Sequence, residues 1–295
     1  MQSSSELAID VRGLRKSYTT KAGTKVAVDG IDLQIKAGEI FAILGPNGAG
    51  KTTTVEILEG YRNRDAGEVS VLGQDPGTLG RDNREWRNRI GIVLQSTNDV
   101  ADLTVYESVS HFAKYYATPK DPESVIESVG LTEKRDAKVL SLSGGQRRRL
   151  DVALGIIGTP DILFLDEPTT GFDPEARRVF WDLIRSLRAS GTTIVLTTHY
   201  LDEAEALADR VAVITDGRIV EVATPQTLGG RHQALAVVSW VENGVTQRLE
   251  SADPAADIVK LTQRLGRVEE LLVTRPSLED IYLSMIGQTE IGDAR

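Results

Sequence analysis

Residues 45–52 read Gly45-Pro46-Asn47-Gly48-Ala49-Gly50-Lys51-Thr52, a G-x-x-x-x-G-K-[ST] run. It directly follows the apolar segment Ile40–Leu44 and precedes a helix-compatible stretch. Its glycines let the backbone curl so that successive N–H groups face inward at the positive end of the next helix, which makes an anion-binding concavity. Such a run calls for a strand, a tight loop and a helix in that order, and so for an α/β sheet. The guest that suits the concavity is a polyphosphate, with Lys51 neutralising its β- and γ-phosphates and the Thr52 hydroxyl supplying one ligand to Mg²⁺.

The rest of the chain agrees with an α/β class. Short Ile, Val and Leu runs at Leu7–Val11, Ile31–Ile35, Glu39–Leu44, Ile90–Leu94, Asp161–Leu165, Thr193–Thr197 and Val211–Thr215 predict strands, several buried on both faces. Between them Asp173–Ala189 has Phe180, Leu183, Ile184 and Leu187 at helical spacing, with Pro174 in the first turn. Asp216-Gly217 between two apolar runs predicts a hairpin. From Val105 to Gly130 the pattern turns helical with no strong strand, a helical insertion spanning about residues 100–145. Pro225, Gly229 and Gly230 mark a boundary. It divides a nucleotide-binding domain at 6–228 from a small α+β accessory domain at 231–295. The last helix carries Leu278, Ile281, Tyr282 and Met285 on one face and a capping box in Ser277 and Asp280.

Composition excludes several classes. With 34 Lys and Arg against 43 Asp and Glu, the net charge of −9 has the wrong sign for a protein whose main partner is nucleic acid. Zero cysteines remove disulfides, thiolate metal sites and cysteine nucleophiles. The longest apolar runs, such as Ala234–Val238, fall far short of the ~20 residues that cross a bilayer. Residues 1–10 have no apolar core of the kind a secretory signal needs. The Arg147–Arg149 run is expected on a solvated or phosphate-facing side of its helix.

Two further motifs bear on chemistry. The apolar run Ile162–Leu165 ends in Asp166-Glu167, and two carboxylates at the exit of a buried strand call for a cation or a water-filled site. Asp166 is assigned to the metal and Glu167 to deprotonation of the attacking water. Leu142-Ser143-Gly144-Gly145-Gln146 is a second glycine turn opening a second helix, and so a second anion-seeking helix end.

With that run in place, residues 6–224 resemble the ATP-binding cassette ATPases, whose signature it is and whose other motifs follow here in the family's order. The resemblance implies a P-loop nucleotidase core with an antiparallel β subdomain and a helical insertion. It implies ATP and Mg²⁺ as cofactors, with Thr53 beside the cradle, Tyr18 stacking on adenine and Gln95 contacting Mg²⁺ and water. It also implies Asp173 as the loop aspartate coupling two sites and His199 as the γ-phosphate contact. Phe172 stands where the family usually has Leu. Family members pair head to tail, so Ser143, Gly144, Gly145 and Gln146 of one subunit would close on the ATP held by another. The expected partners are therefore a second ATPase subunit, taken as another copy of the chain, and a separately encoded permease that binds the transported molecule. The permease would dock on the helical insertion and the loop after Gln95. The protein would then sit peripherally on the cytoplasmic face of the membrane, without nucleic acid. The short insertion and the tail Pro276–Leu283 resemble the daunorubicin-resistance type of drug and antibiotic exporters. The rival readings are a soluble ATPase of the same family acting on nucleic acid or ribosomes, and a non-hydrolysing regulatory module.

Overall fold

The computed structural model describes residues 6–21, 23–80, 83–94 and 102–292, with side chains to residue 286. It divides into two compact units, 1–222 and 223–295.

In chain order, β1 (Leu7–Thr20) and β2 (Gly23–Lys36) form an antiparallel hairpin, and β3 (Ile40–Leu44) runs through the glycine loop into α1 (Lys51–Leu58). β4 (Ala66–Val71) returns to pair antiparallel with β1, closing a three-stranded sheet of order β2-β1-β4. α2 (Arg84–Asn88) and β5 (Ile90–Val93) precede two short helices, α3 (Val105–Ala113) and α4 (Pro122–Ser128), in the region read as helical. Then come α5 (Gly144–Ile156), β6 (Ile162–Asp166), α6 (Pro174–Ala189), β7 (Thr193–Thr198), α7 (Leu201–Leu207), β8 (Arg210–Thr215) and β9 (Arg218–Ala223). The main sheet has the order β5-β6-β7-β3-β8-β9. Its pairings from β5 through β8 are parallel.

β3 and β7 are buried at every residue, and β6 at all but its last, as strands covered on both faces require. Their apolar side chains join the hairpin residues Val11, Leu14 and Ile31 in one core. Asp216 and Gly217, at φ 50° and 76°, make the two-residue turn between β8 and β9.

Two local expectations are corrected. β1 does not stop at Val11 but continues to Thr20, because its second half is held by pairing with β2 from Arg15↔Asp29 to Thr20↔Gly23. β4 has no counterpart among the strands read from sequence. Its Gly67 is required by a close approach, since a Cβ there would lie 2.5 Å from the Gly13 carbonyl oxygen.

In the second unit β10 (Ala236–Glu242) is central, flanked by β11 (Val245–Ser251) and β12 (Glu269–Thr274), both antiparallel to it. α8 (Pro254–Leu265) covers one face, with Leu261 packed against Val238 and Trp240. α9 (Leu278–Gly292) opens on a reciprocal cap: Asp280 N–H donates to Ser277 Oγ (3.1 Å) and Ser277 N–H to Asp280 Oδ2 (2.8 Å). Leu278 is buried, and a Cβ on Gly229 would meet Ile281 Cγ2 at 2.4 Å, so this helix packs on the short turn at Leu228–Gln233.

Candidate functional site

The parallel register brings the carboxyl ends of β3, β6 and β7 side by side: Leu44 pairs with Thr198 and Asp166 with Thr197. In an open α/β sheet that edge is where ligands bind. A cleft of about 420 Å³ lies there, lined by Asn47, Gly48, Gly50, Lys51, Thr52 and Thr53 of the glycine loop and α1. Asp166 and Glu167 form its floor, and Tyr18, Lys25 and Ala27 of the hairpin its remaining wall.

The loop needs glycine for packing as well as for conformation. A Cβ on Gly45 would lie 2.3 Å from the Ile214 carbonyl oxygen. One on Gly50, at φ 104°, would lie 2.2 Å from that of Ala27. Lys51 is 5% exposed, and its Nζ donates to the carbonyls of Gly45 (2.8 Å) and Pro46 (3.1 Å), which curls the loop around its own lysine. Burial holds the ammonium below its ordinary range, while Glu167 and Asp166 pull it back up. Its Nζ lies 3.7 Å from Glu167 Oε1.

Thr197 organises the acidic side. Its hydroxyl donates to Asp166 Oδ1 and accepts from the Glu167 backbone N–H at 3.1 Å. Glu167 has φ 44°, left-handed backbone rarely adopted by residues with a side chain, and that bond helps to hold it there. Its Oε1 stands 3.2 Å from Nδ1 of His199. Lys51, Glu167 and His199, 148 residues apart along the chain, thus converge on one carboxylate oxygen. Among the described residues no group of three or more His, Cys, Asp or Glu could hold a metal by itself. A hydroxyl at Thr52 and a carboxylate at Asp166 fit a hard cation that completes its shell with phosphate oxygens and water.

Other residues named from the sequence lie as follows. Tyr18 is half-buried at the cleft, its hydroxyl 3.4 Å from Thr53 Oγ1 and its ring 5.3 Å from the Arg62 guanidinium. Ser143 caps α5: its Oγ accepts from Gln146 N–H (3.3 Å) and the Gln146 side chain accepts from Ser143 N–H (3.1 Å). Asp173 caps α6 by accepting from Ala176 N–H at 2.8 Å. Neither Ser143–Gln146 nor Asp173 lines the cleft that holds Lys51. Gln95 and the loop after it lie outside the described residues.

The structure corrects the reading of the arginine run. Arg148 is buried and donates to the carbonyls of Leu94, Asp166 (2.7 Å) and Pro168 (3.1 Å), and Arg149 donates to those of Val129 (3.2 Å) and Gly130 (2.8 Å). These two side chains tie loops together and do not form a solvated face. Sequence reasoning also passed over Lys25 and Thr197. Lys25 reaches the cleft because the hairpin pairs it with Tyr18, and only that register signals it.

Comparison with known proteins adds the following. Residues 28–170 match the family model described as ABC transporter. The chain is 40% identical to the Nod factor export ATP-binding protein I of Rhizobium sp. (strain N33), over 96% of this chain and 98% of that one. It is 42% identical to the protein of the same name from Burkholderia pseudomallei (strain 1710b), over 95% and 97%. Among solved structures it is similar to a dimeric bacterial ABC transporter cassette at 26% identity and a TM-score of 0.66, covering 73% of this chain and 98% of the cassette.

Proposed function

The chain belongs to the ABC transporter family of ATP-binding proteins, and on that premise we propose that it powers an export system by clasping ATP between two copies of itself. It is an ATP hydrolase of the cassette type. The observation that carries the proposal is the convergence of Lys51, Asp166 and Glu167 on one cleft, with His199 against the same carboxylate oxygen. Backbone N–H groups of residues 47–52 and the Lys51 ammonium bind the polyphosphate, and Tyr18 flanks the base. Glu167 orients the attacking water and takes its proton, a task worth ~10²–10⁴ in rate. His199 is assigned the γ-phosphate contact, a role supported by its place 3.2 Å from the Glu167 carboxylate. Thr52 and Asp166 are the residues that would hold Mg²⁺, which supplies neutralisation of charge on the phosphates.

Within one chain the Ser143–Gln146 turn does not reach the cleft, which supports a site completed by a second subunit. Residues 6–228 carry this chemistry, and residues 231–295 are assigned an accessory role. Among the described residues no helix is long and apolar enough to cross a membrane; a separate permease is the membrane-spanning partner that the family implies. The relatives' names support export. The drug or antibiotic class expected from the tail has no counterpart in those names.

The test is Glu167→Gln. Turnover falls ~10²–10⁴-fold while nucleotide binding persists, and sedimentation at saturating ATP shows a dimer. A chain that stays monomeric under those conditions, with ATP bound, overturns the clasp.

A further inference from the structure

Glu203, on α7, is a fully buried carboxyl that the chemistry above does not use. It faces the hydroxyls of Thr169 and Thr198 and the Trp181 indole N–H, with the Arg177 guanidinium nearby. Both Glu203 oxygens, Thr169 Oγ1, Trp181 Nε1 and Arg177 Nε are shielded from solvent and stop short of well-formed hydrogen bonds with any described residue. Five inward polar atoms from three segments are costly to bury and need a reason to be kept.

Their places in the chain supply one. Thr169 follows Glu167 by two residues, and Thr198 immediately precedes His199. Thr198 Oγ1 accepts the Tyr200 N–H at 2.9 Å, closing a turn around His199. The Tyr200 ring lies 4.1 Å from the His199 ring, and the Arg177 guanidinium lies 5.0 Å from the other partner in that stack, Tyr200. Arg177 is tethered to α7 by an ion pair with Asp202 (2.5 Å). Glu203 therefore faces the loop that carries Glu167 on one side and the turn that carries His199 on the other. Burial raises its pKa, while the two hydroxyls, the indole N–H and the Arg177 charge oppose that rise.

We propose that Glu203 is a positioning residue that sets the 3.2 Å approach of His199 to Glu167 by holding the two segments that bear them. It acts on the cleavage step through those residues and touches no substrate. The proposal rests on the reading of Glu167 and His199 as the hydrolytic pair.

The experiment compares Glu203→Leu, Glu203→Gln and Thr169→Val in the full chain by kcat, ATP affinity and the ring resonances of His199. With only three histidines, His111, His199 and His232, the signal is assignable by substitution. Misplacing reacting groups by about an ångström costs up to ~10²-fold, so Glu203→Leu should lower kcat ~10- to 100-fold with ATP affinity within about twofold, and should shift the His199 resonances. Glu203→Gln, which keeps polar partners, should recover kcat to within about threefold. Thr169→Val is the gentler variant if Glu203→Leu does not fold, and should show the same split at about 3- to 10-fold. Glu203→Leu at parental kcat, Gln as impaired as Leu, or a loss of kcat with His199 resonances unmoved overturns the proposal; where Leu does not fold, Thr169→Val at parental kcat does so. If Glu167→Gln itself keeps full turnover, it is the underlying reading that fails.

Discussion

Glu167, on the nucleotide cleft, and Glu59, on a separate pocket with Ile92, Val93 and Leu94, are two carboxylates in opposite environments. Glu167 sits in left-handed backbone beside Lys51 and His199, where cationic and donor groups surround it. Glu59, at the end of α1, is pushed up to about 8, chiefly by burial and further by the negative charges of Asp166 and Glu56. Its ordinary value is 4.5, so between roughly pH 4.5 and 8 the folded chain keeps a proton that the unfolded chain has released. Unfolded protein then binds fewer protons, and stability falls as pH rises through that window. Urea midpoints of the nucleotide-free chain should decline from pH 5 to pH 8 with a slope that Glu59→Gln reduces. An unchanged slope in the variant would place the effect elsewhere.

Among the elements α5 shows how one helix serves two ends. Its N-terminus is closed by the Ser143–Gln146 capping box, worth about 0.5–2 kcal/mol, and half a turn on Arg148 enters the core. The guanidinium is the common donor to carbonyls at the ends of β5 and β6 and of the Glu167 loop, groups beyond the reach of the ladder. Burial lowers the Arg148 pKa, with Asp151, Asp166 and Glu203 opposing. Arg148→Met keeps the apolar length but strands three carbonyls, so it should cost about 3–5 kcal/mol by urea denaturation. Arg148→Lys should recover only part, because an ammonium cannot span the fork. Surface substitution at Arg185, by comparison, should move stability by less than about 0.5 kcal/mol.

At the scale of the molecule, two units with separate cores predict two unfolding events. Ligand that binds only the first unit stabilises only that unit. ATP at about 100 times its Kd should add ~2.7 kcal/mol to one transition and leave the other in place. Trp240 reports on the second core, and Trp86 on the first. Trp240→Phe should remove the fluorescence change of the nucleotide-insensitive transition alone. A single transition that moves as a whole with ATP would show the two cores to be coupled.

Local signals alone carried the loop at 45–52, the strands β3, β5, β6, β7 and β8, the turn at Asp216-Gly217, the cap at Ser277 and the first-turn Pro174, because each is written in neighbouring residues. Periodicity, glycine placement and capping act over a few positions, so the chain alone determined its α/β class and its phosphate-binding loop. What only tertiary structure decided is what depends on distant partners. The run of β1 to Thr20 and the existence of β4 come from cross-strand pairing, and Lys25 enters the cleft through hairpin register. Arg148 and Glu203, which composition would place on the surface, are drawn inside by carbonyls, hydroxyls and an indole supplied by other elements and loops. A buried charge or acid is tolerated only where such partners meet it, and their meeting is fixed by the packing of strands and helices, which no local window contains.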